Sequence, residues 1–245
     1  MGIAIISGAS SGIGKALAFE LDLLGLDEIW LIARREDKLN EIKSELKTPA
    51  KCFGLDLTKE ASFNIIRDEL QKSQQKIEYL VPCAGVGYTG AVADNTAEQI
   101  TATVDLNCRG LTLLISTALP YMCSGGKIIN IASGAGFLPQ ADFAVYAASK
   151  AYVISLSRSL RKELKERKIN VCAVCPGPVD TEFFDKLENV KEYKKKYLVS
   201  PELIAKKAMR ASLKNKAICT PTFSIKMLHA CAKILPTSLL LKFSK

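Results

Sequence analysis

Six short apolar, β-rich runs recur along the chain: "IAIIS" (3–7), "EIWLIA" (28–33), "CFGLDL" (52–57), "IEYLVP" (77–82), "GKIINIA" (126–132) and "INVCAVCP" (169–176). Between and after them lie segments with helical periodicity, near 12–25, 36–47, 59–74, 96–120, 144–166 and 201–214. Runs that are apolar almost throughout suit strands buried on both faces, as in a parallel sheet covered by helices. The alternation predicts a doubly wound parallel sheet in a three-layer α/β/α arrangement. At 245 residues and 48% hydrophobic, the chain can bury one sizeable core. No internal repeat, low-complexity tract or Pro/Gly/Ser-rich linker marks a second domain, so a single domain over 1–245 is expected.

Composition narrows the function classes. The net charge of +9, from 34 basic and 25 acidic residues, favours an anionic cofactor, substrate or surface. The basic residues are spread through apparent helices, the densest cluster being Lys194, Lys195 and Lys196, and no nucleic-acid module accompanies them. Solvated faces, and no nucleic-acid partner, are therefore expected. The cysteines at 52, 83, 108, 123, 172, 175, 219 and 231 sit mostly among apolar neighbours, and no segment ahead of the first strand could serve as a secretory signal. Reduced thiols in a cytoplasmic protein follow as the expectation. Cys172-x-x-Cys175 lies in an apolar run that reads as a buried strand, with no second ligand pair, so no metal is expected. No apolar run approaches the roughly 18 residues needed to span a bilayer.

The first strand runs directly into "SGASSGIGKAL" (7–17), where Gly8, Gly12 and Gly14 fall between a strand and a helix. Glycines allow a tight turn and close backbone approach, while the helix N-terminus offers free N–H groups to a phosphate. The second strand ends in "IARREDKL", which puts Arg34 and Arg35 where an NAD-selective site would carry an acid for the ribose hydroxyls. Arginine there suits a 2′-phosphate, so NADP(H) is favoured over NAD(H). Glu36 and Asp37 follow in the first helical turn, where acids complement the helix dipole. Far downstream, "FAVYAASKAY" sets Tyr146 and Lys150 four positions apart, on one helix face. A tyrosine holds its proton up to about pH 10, so acid–base work near neutrality calls for a nearby positive charge, which Lys150 could supply.

With these features in this order the chain resembles the short-chain dehydrogenase/reductase family, in its compact single-domain branch with a Rossmann fold. Further matches are "LDL" at 55–57, "CAG" at 83–85, "LN" ending at Asn107, "IAS" ending at Ser133 and "PGPVDT" at 176–181. The resemblance implies a catalytic set of Asn107, Ser133, Tyr146 and Lys150. Ser133 would hydrogen-bond the substrate oxygen, and Tyr146 would protonate the carbonyl as hydride arrives from the nicotinamide. Lys150 would lower the Tyr146 pKa and bind the nicotinamide ribose, and Asn107 would hold a water against the lysine. The resemblance places the cofactor against Gly8, Ser10, Ser11, Gly12, Ile13, Gly14, Arg34, Arg35, Asp56, Leu57, Ala84, Gly85, Asn107, Tyr146, Lys150, Pro176, Gly177, Val179 and Thr181.

Two departures stand out. The family's "NNAG" is "PCAG" here, with Pro82 and Cys83 in place of two asparagines, so their side-chain hydrogen bonds to the sheet are absent; Ser7 replaces the customary threonine and keeps the hydroxyl. The implied activity is an NADPH-dependent carbonyl reductase, reversible as an alcohol dehydrogenase. The alternative is a non-catalytic dinucleotide-sensing or scaffold protein on the same fold. Enoyl reduction would call for a wider Tyr-to-Lys interval, and sugar-nucleotide epimerases have a longer C-terminal region. Substrate selectivity is expected from loops at 86–95, 134–143 and especially 178–200, with Phe137, Leu138, Phe183 and Phe184 lining an apolar pocket or packing the loop on the core. A homodimer or homotetramer through helices 96–120 and 144–166 is implied. In 223–245, Met227, Leu228, Cys231, Ile234 and Leu235 make one apolar helical stripe opposite Lys226, His229 and Lys233, ended by Pro236 before "LLLKF". This segment either packs on its own or a neighbouring subunit, with His229 at the surface, or lies on an anionic membrane.

Overall fold

Ile3 and Ile5 of the first strand, β1 (Ile3–Ser7), face one apolar core, whereas Ala4 and Ile6 face another. The second strand, β2 (Glu28–Ala33), repeats the division, with Trp30 and Ile32 on one side and Ile29 and Leu31 on the other. Both faces of these strands are therefore buried, the physical basis of their unbroken apolar sequence. The computed structural model describes residues 2–185, 187 and 198–236. Part of the 178–200 loop, the lysines at 194–196 and the "LLLKF" of the tail lie outside the described residues.

The remaining strands are β3 (Ala50–Gly54), β4 (Ile77–Pro82), β5 (Met122–Ile131), β6 (Asn170–Val174) and β7 (Ile218–Cys219). All pair in parallel, in the order β3-β2-β1-β4-β5-β6-β7. One face is covered by α1 (Gly12–Asp22), α2 (Glu36–Glu45) and α8 (Pro201–Leu213), through Leu17, Leu21, Leu39, Ile42 and Ile204. The other is covered by α3 (Glu60–Ser73), the pair α4 (Ala97–Val104) and α5 (Leu111–Ala118), and α6 (Ala144–Glu163), through Phe63, Ile66, Leu114 and Val153. A short α7 (Glu182–Asp185) and a terminal α9 (Phe223–Ile234) complete the set. The strand order reverses between β1 and β4, and that switch point opens a crevice at the strand C-termini.

Three differences from the sequence-based expectation have local causes. β3 begins two residues earlier than "CFGLDL" and ends at Gly54, because Asp56 turns the chain: its Oδ1 accepts from Thr58 N at 2.9 Å and Thr58 Oγ1 at 2.8 Å. The long helix expected over 96–120 starts on a Thr96–Gln99 capping box, but a π-helical turn over Asp105–Gly110 interrupts it. β7 was not anticipated; two residues are too short for any periodicity to register.

The two cores make the fold sensitive to the inner strands and tolerant on the helix surfaces. Ile5→Ala, at a fully buried position, is expected to cost about 2–5 kcal/mol. Ile65→Ala, on α3 and 47% exposed, should cost less than about 1 kcal/mol. Urea denaturation midpoints of the two variants measure the contrast.

Candidate active site

The turn after β1 is shaped by what cannot fit in it. Gly8 and Gly12 have φ of +66° and +54°, the left-handed region that favours glycine. A Cβ on Gly8 would lie 2.8 Å from Ala84 N and Cα, and one on Gly14 would lie 2.2 Å from Gly8 O. The chain thus packs backbone against backbone between the ends of β1 and β4. Ser7 fastens the same junction, its hydroxyl oxygen accepting from Cys83 N at 3.0 Å and Ala84 N at 3.2 Å. The serine hydroxyl links β1 to the loop after β4, although Pro82 and Cys83 stand where the family has asparagines.

At the start of α1, Ser11 makes no side-chain capping bond and the first turn holds no acidic residue. Its first-turn N–H groups and positive dipole end thus have no acidic residue of their own turn beside them. Ile13 packs against the core on the α1 face of the sheet. Arg35 is tied down, with its guanidinium 2.9 Å from Glu182 Oε2 and donating to Ser10 Oγ at 3.2 Å. Arg34 is exposed, makes no hydrogen bond or ion pair among the described residues, and acts electrostatically on Asp56. Burial alone would raise the Asp56 carboxyl; the Thr58 hydrogen bonds and the Arg34 charge outweigh it and hold the group low. The Leu57 side chain belongs to the core. Across the crevice, Thr181 Cγ2 sits 2.9 Å from where a Gly12 Cβ would be, bringing "PGPVDT" against the glycine turn. Pro176 O accepts from Gly134 N at 2.8 Å, Gly177 lies under Ile225, and Val179 is buried and bridged to Val199.

The four catalytic candidates converge. Ser133 caps the short turn Gly134–Phe137, accepting from Ala135 N at 3.1 Å, and hydrogen-bonds the Tyr146 phenol. Tyr146 is buried and stacked on Phe143 at a 4.4 Å centroid distance, with Phe183 tilted at 5.4 Å. Beneath the ring, Gly87 leaves no room for a side chain, since a Cβ there would lie 2.5 Å from Tyr146 Cδ2. Lys150 Nζ sits 5.6 Å from the Tyr146 ring centroid, and a Cβ on Gly85 would lie 3.3 Å from it and 3.2 Å from Asn107 Oδ1. Asn107 occupies the π-helical turn, fully buried. Its amide donates to Val86 O at 2.8 Å and Ser149 Oγ at 2.9 Å, and accepts from Val86 N at 2.9 Å.

The electrostatics correct one expectation. Burial pushes the Tyr146 phenol up to about 12; the Ser133 hydrogen bond pulls it down without winning, and Lys150 is not among the groups that move it. The reason is where the ammonium points: Lys150 Nζ donates to Ile131 O at 3.0 Å, at the end of β5. Burial lowers the lysine to about 8, against weaker opposing effects of Cys83, Cys108 and Cys175. A further expectation changes in the tail. Of the two alternatives for Phe137, packing is the one found: it stacks on His229 at 4.3 Å and supports the Ser133 turn from behind. His229 is half-buried there instead of lying at the surface. Sequence reasoning missed Ser149, Val86 and Gly87, which carry no motif; only the register of Ser149, three residues after Tyr146, hints that it faces inward.

Comparisons with known proteins identify the family. The model of the family described as short chain dehydrogenase matches residues 2–192. An uncharacterized oxidoreductase of Staphylococcus epidermidis is 37% identical over 181 residues, covering 73% of this chain and 78% of that protein. The structure is similar to a short-chain dehydrogenase from Sphingobium yanoikuyae in complex with NADPH, at a TM-score of 0.84 and 26% identity, over 98% of this chain and 96% of that one. It is also similar to the bulky-bulky ketone specific alcohol dehydrogenase from Comamonas testosteroni, at a TM-score of 0.79 and 25% identity, over 99% and 94%. A glycine turn at the sheet's switch point, the buried Tyr146, Lys150 and Asn107 with Ser133 beside them, and a family match over most of the length lead to one conclusion: the chain belongs to the short-chain dehydrogenase family of oxidoreductases.

Proposed function

We propose that the protein reduces an apolar carbonyl compound with NADPH, reversibly as an alcohol dehydrogenase. The observation that carries the reading is the buried Tyr146 phenol beside Ser133, with Lys150 and Asn107 packed behind it. The dinucleotide fits the residues present: the glycine turn is a cradle that any Cβ would fill, and the α1 N-terminus lacks a competing acid. Arg34, exposed and without a hydrogen bond or ion pair among the described residues, supports a 2′-phosphate, as does the NADPH of the Sphingobium yanoikuyae structure. When bound, the cofactor supplies hydride to the carbonyl carbon. Ser133 then donates to the substrate oxygen, Tyr146 transfers its proton to that oxygen, and the product is the alcohol. The lost proton is restored from solvent past Lys150 and Asn107. The Asn107 amide is committed to Val86 and Ser149, so its backbone carbonyl and one remaining Oδ1 lone pair are what a relay water would use. Phe143 and Phe183 beside Tyr146 support an apolar substrate, consistent with the ketone specificity of the Comamonas testosteroni enzyme. Exposed Val104 and Tyr152 on α4 and α6 support a homo-oligomer through those helices, and eight free cysteines support a reducing, cytoplasmic setting.

Tyr146→Phe should lower kcat by roughly 10²–10⁴-fold while NADPH affinity, read by fluorescence titration, stays near that of the parent. Parent-like turnover would remove Tyr146 from the reaction. Arg34→Ala should weaken NADPH by about 10–100-fold and NADH much less, because only NADPH carries the extra phosphate. Equal losses would shift the phosphate contact to Arg35. The pH profile has a definite sign. Lys150, lowered from 10.5 to about 8, is cationic below that value and neutral above it, whereas Tyr146 keeps its proton to about 12. The rate of reduction should therefore fall as pH rises through about 8, with no tyrosine limb in the accessible range. A rate that climbs through that interval would contradict the role of the ammonium.

A further inference from the structure

Residues 203–245 hold nine of the chain's 34 basic residues and none of its 25 acidic ones. Residues 1–202 therefore carry 25 of each, and the whole net charge of +9 belongs to this last stretch. Helix α9 lies within it and has two apolar sides. The inner side packs on the body, where Ile225 covers Gly134 and Gly177 and His229 stacks on Phe137. This reverses part of the sequence-based division, which put His229 opposite the apolar stripe. On the outer side Phe223, Met227, Ala230 and Ile234 follow one another at intervals of four, three and four residues, so they form one ridge along the helix. Phe223 is 76%, Met227 48% and Ile234 79% exposed. Lys226 and Lys233, both exposed, flank that ridge and form no ion pair among the described residues.

We propose that α9 docks the protein peripherally on an anionic lipid bilayer, with the Phe223–Met227–Ile234 ridge in the headgroup boundary and Lys226 and Lys233 against acidic headgroups. An amphipathic helix with lysines bordering its apolar face binds such an interface by both terms at once. Charge decides between this occupant and a second copy. Pairing two α9 ridges would bring together two chain ends that each carry the molecule's entire positive excess, with no carboxylate between them. No described helix is long and apolar enough to cross a membrane, which limits the contact to the surface. Because α9 rests on the turn Gly134–Phe137 that follows Ser133, the docked bilayer would lie at the crevice end of the sheet.

Co-sedimentation of the full chain with vesicles tests this, using phosphatidylcholine alone and phosphatidylcholine with about one-third phosphatidylserine. The protein should pellet with the anionic vesicles only, and less so at high salt. Lys226→Gln and Lys233→Gln should each lower partitioning about fivefold. The combined Phe223→Ser, Met227→Ser, Ile234→Ser variant should lose binding by tenfold or more while keeping its circular dichroism, since all three side chains point to solvent. Equal partitioning on neutral vesicles, or unchanged binding by either the lysine variants or the folded serine variant, would overturn the proposal. So would a fall in molar mass by light scattering in the serine variant, which would identify a second copy of the chain as what covers the ridge.

Discussion

Both polar atoms of the buried Asn107 amide are engaged, and the crevice depends on those contacts. The side chain grips both the N–H and the C=O of Val86, which fixes the loop leaving β4, and it donates to Ser149 on α6. Ser149 in turn donates to Tyr146 O at 2.7 Å. One amide therefore couples the β4 loop, the π-helical turn and the helix that carries Tyr146 and Lys150. Without it, the N–H and C=O of Val86 would lose their protein partner, at about 1–3 kcal/mol each if left unpaired. The π-helical turn explains why the residue can reach so far: the extra residue in the turn re-aims the side chain without ending the helix.

Around this clamp the protein buries a lysine with no carboxylate partner among the described residues. Its nearest company is a backbone carbonyl and the thiols of Cys83, Cys108 and Cys175, whose own pKa values are raised by burial. An uncompensated buried ammonium is costly, and the lysine answers by becoming a weaker base. The tyrosine moves the opposite way for the same reason, since burial disfavours its anion. Burial thus favours the neutral phenol in the resting crevice.

Much of the fold is legible in the sequence because β1, β2 and β4 lie inside the sheet, where both faces select apolar residues and turn signals bound them sharply. β3 is less legible because it is an edge strand: Lys51 is only half-buried and, with Ala50, looks like loop, while Leu55 to Leu57 look like strand but turn on the Asp56 side chain. The four candidate residues are legible through their spacing, yet what orients them is not. Val86 acts through its backbone, Gly87 through having no side chain, and Ile131 through a carbonyl, none of which a residue's identity announces. The direction of Lys150 and the inward turn of His229 depend on how α6 and α9 rest on their neighbours, information carried by tertiary packing alone.

The two edges of the sheet also bear on how the protein behaves in a crowded solution. An open parallel sheet ends in two rows of unpaired backbone groups, each a template for another chain. Here β3 carries Lys51 paired with Glu69 along its margin, and β7 offers only Ile218 and Cys219 before Pro221 and α9 divert the chain. A β-strand arriving at the first edge meets charge, and one arriving at the second finds two residues to pair with. The sheet is in this sense terminated at both ends, so its growth by strand addition is blocked by sequence at one margin and by brevity at the other.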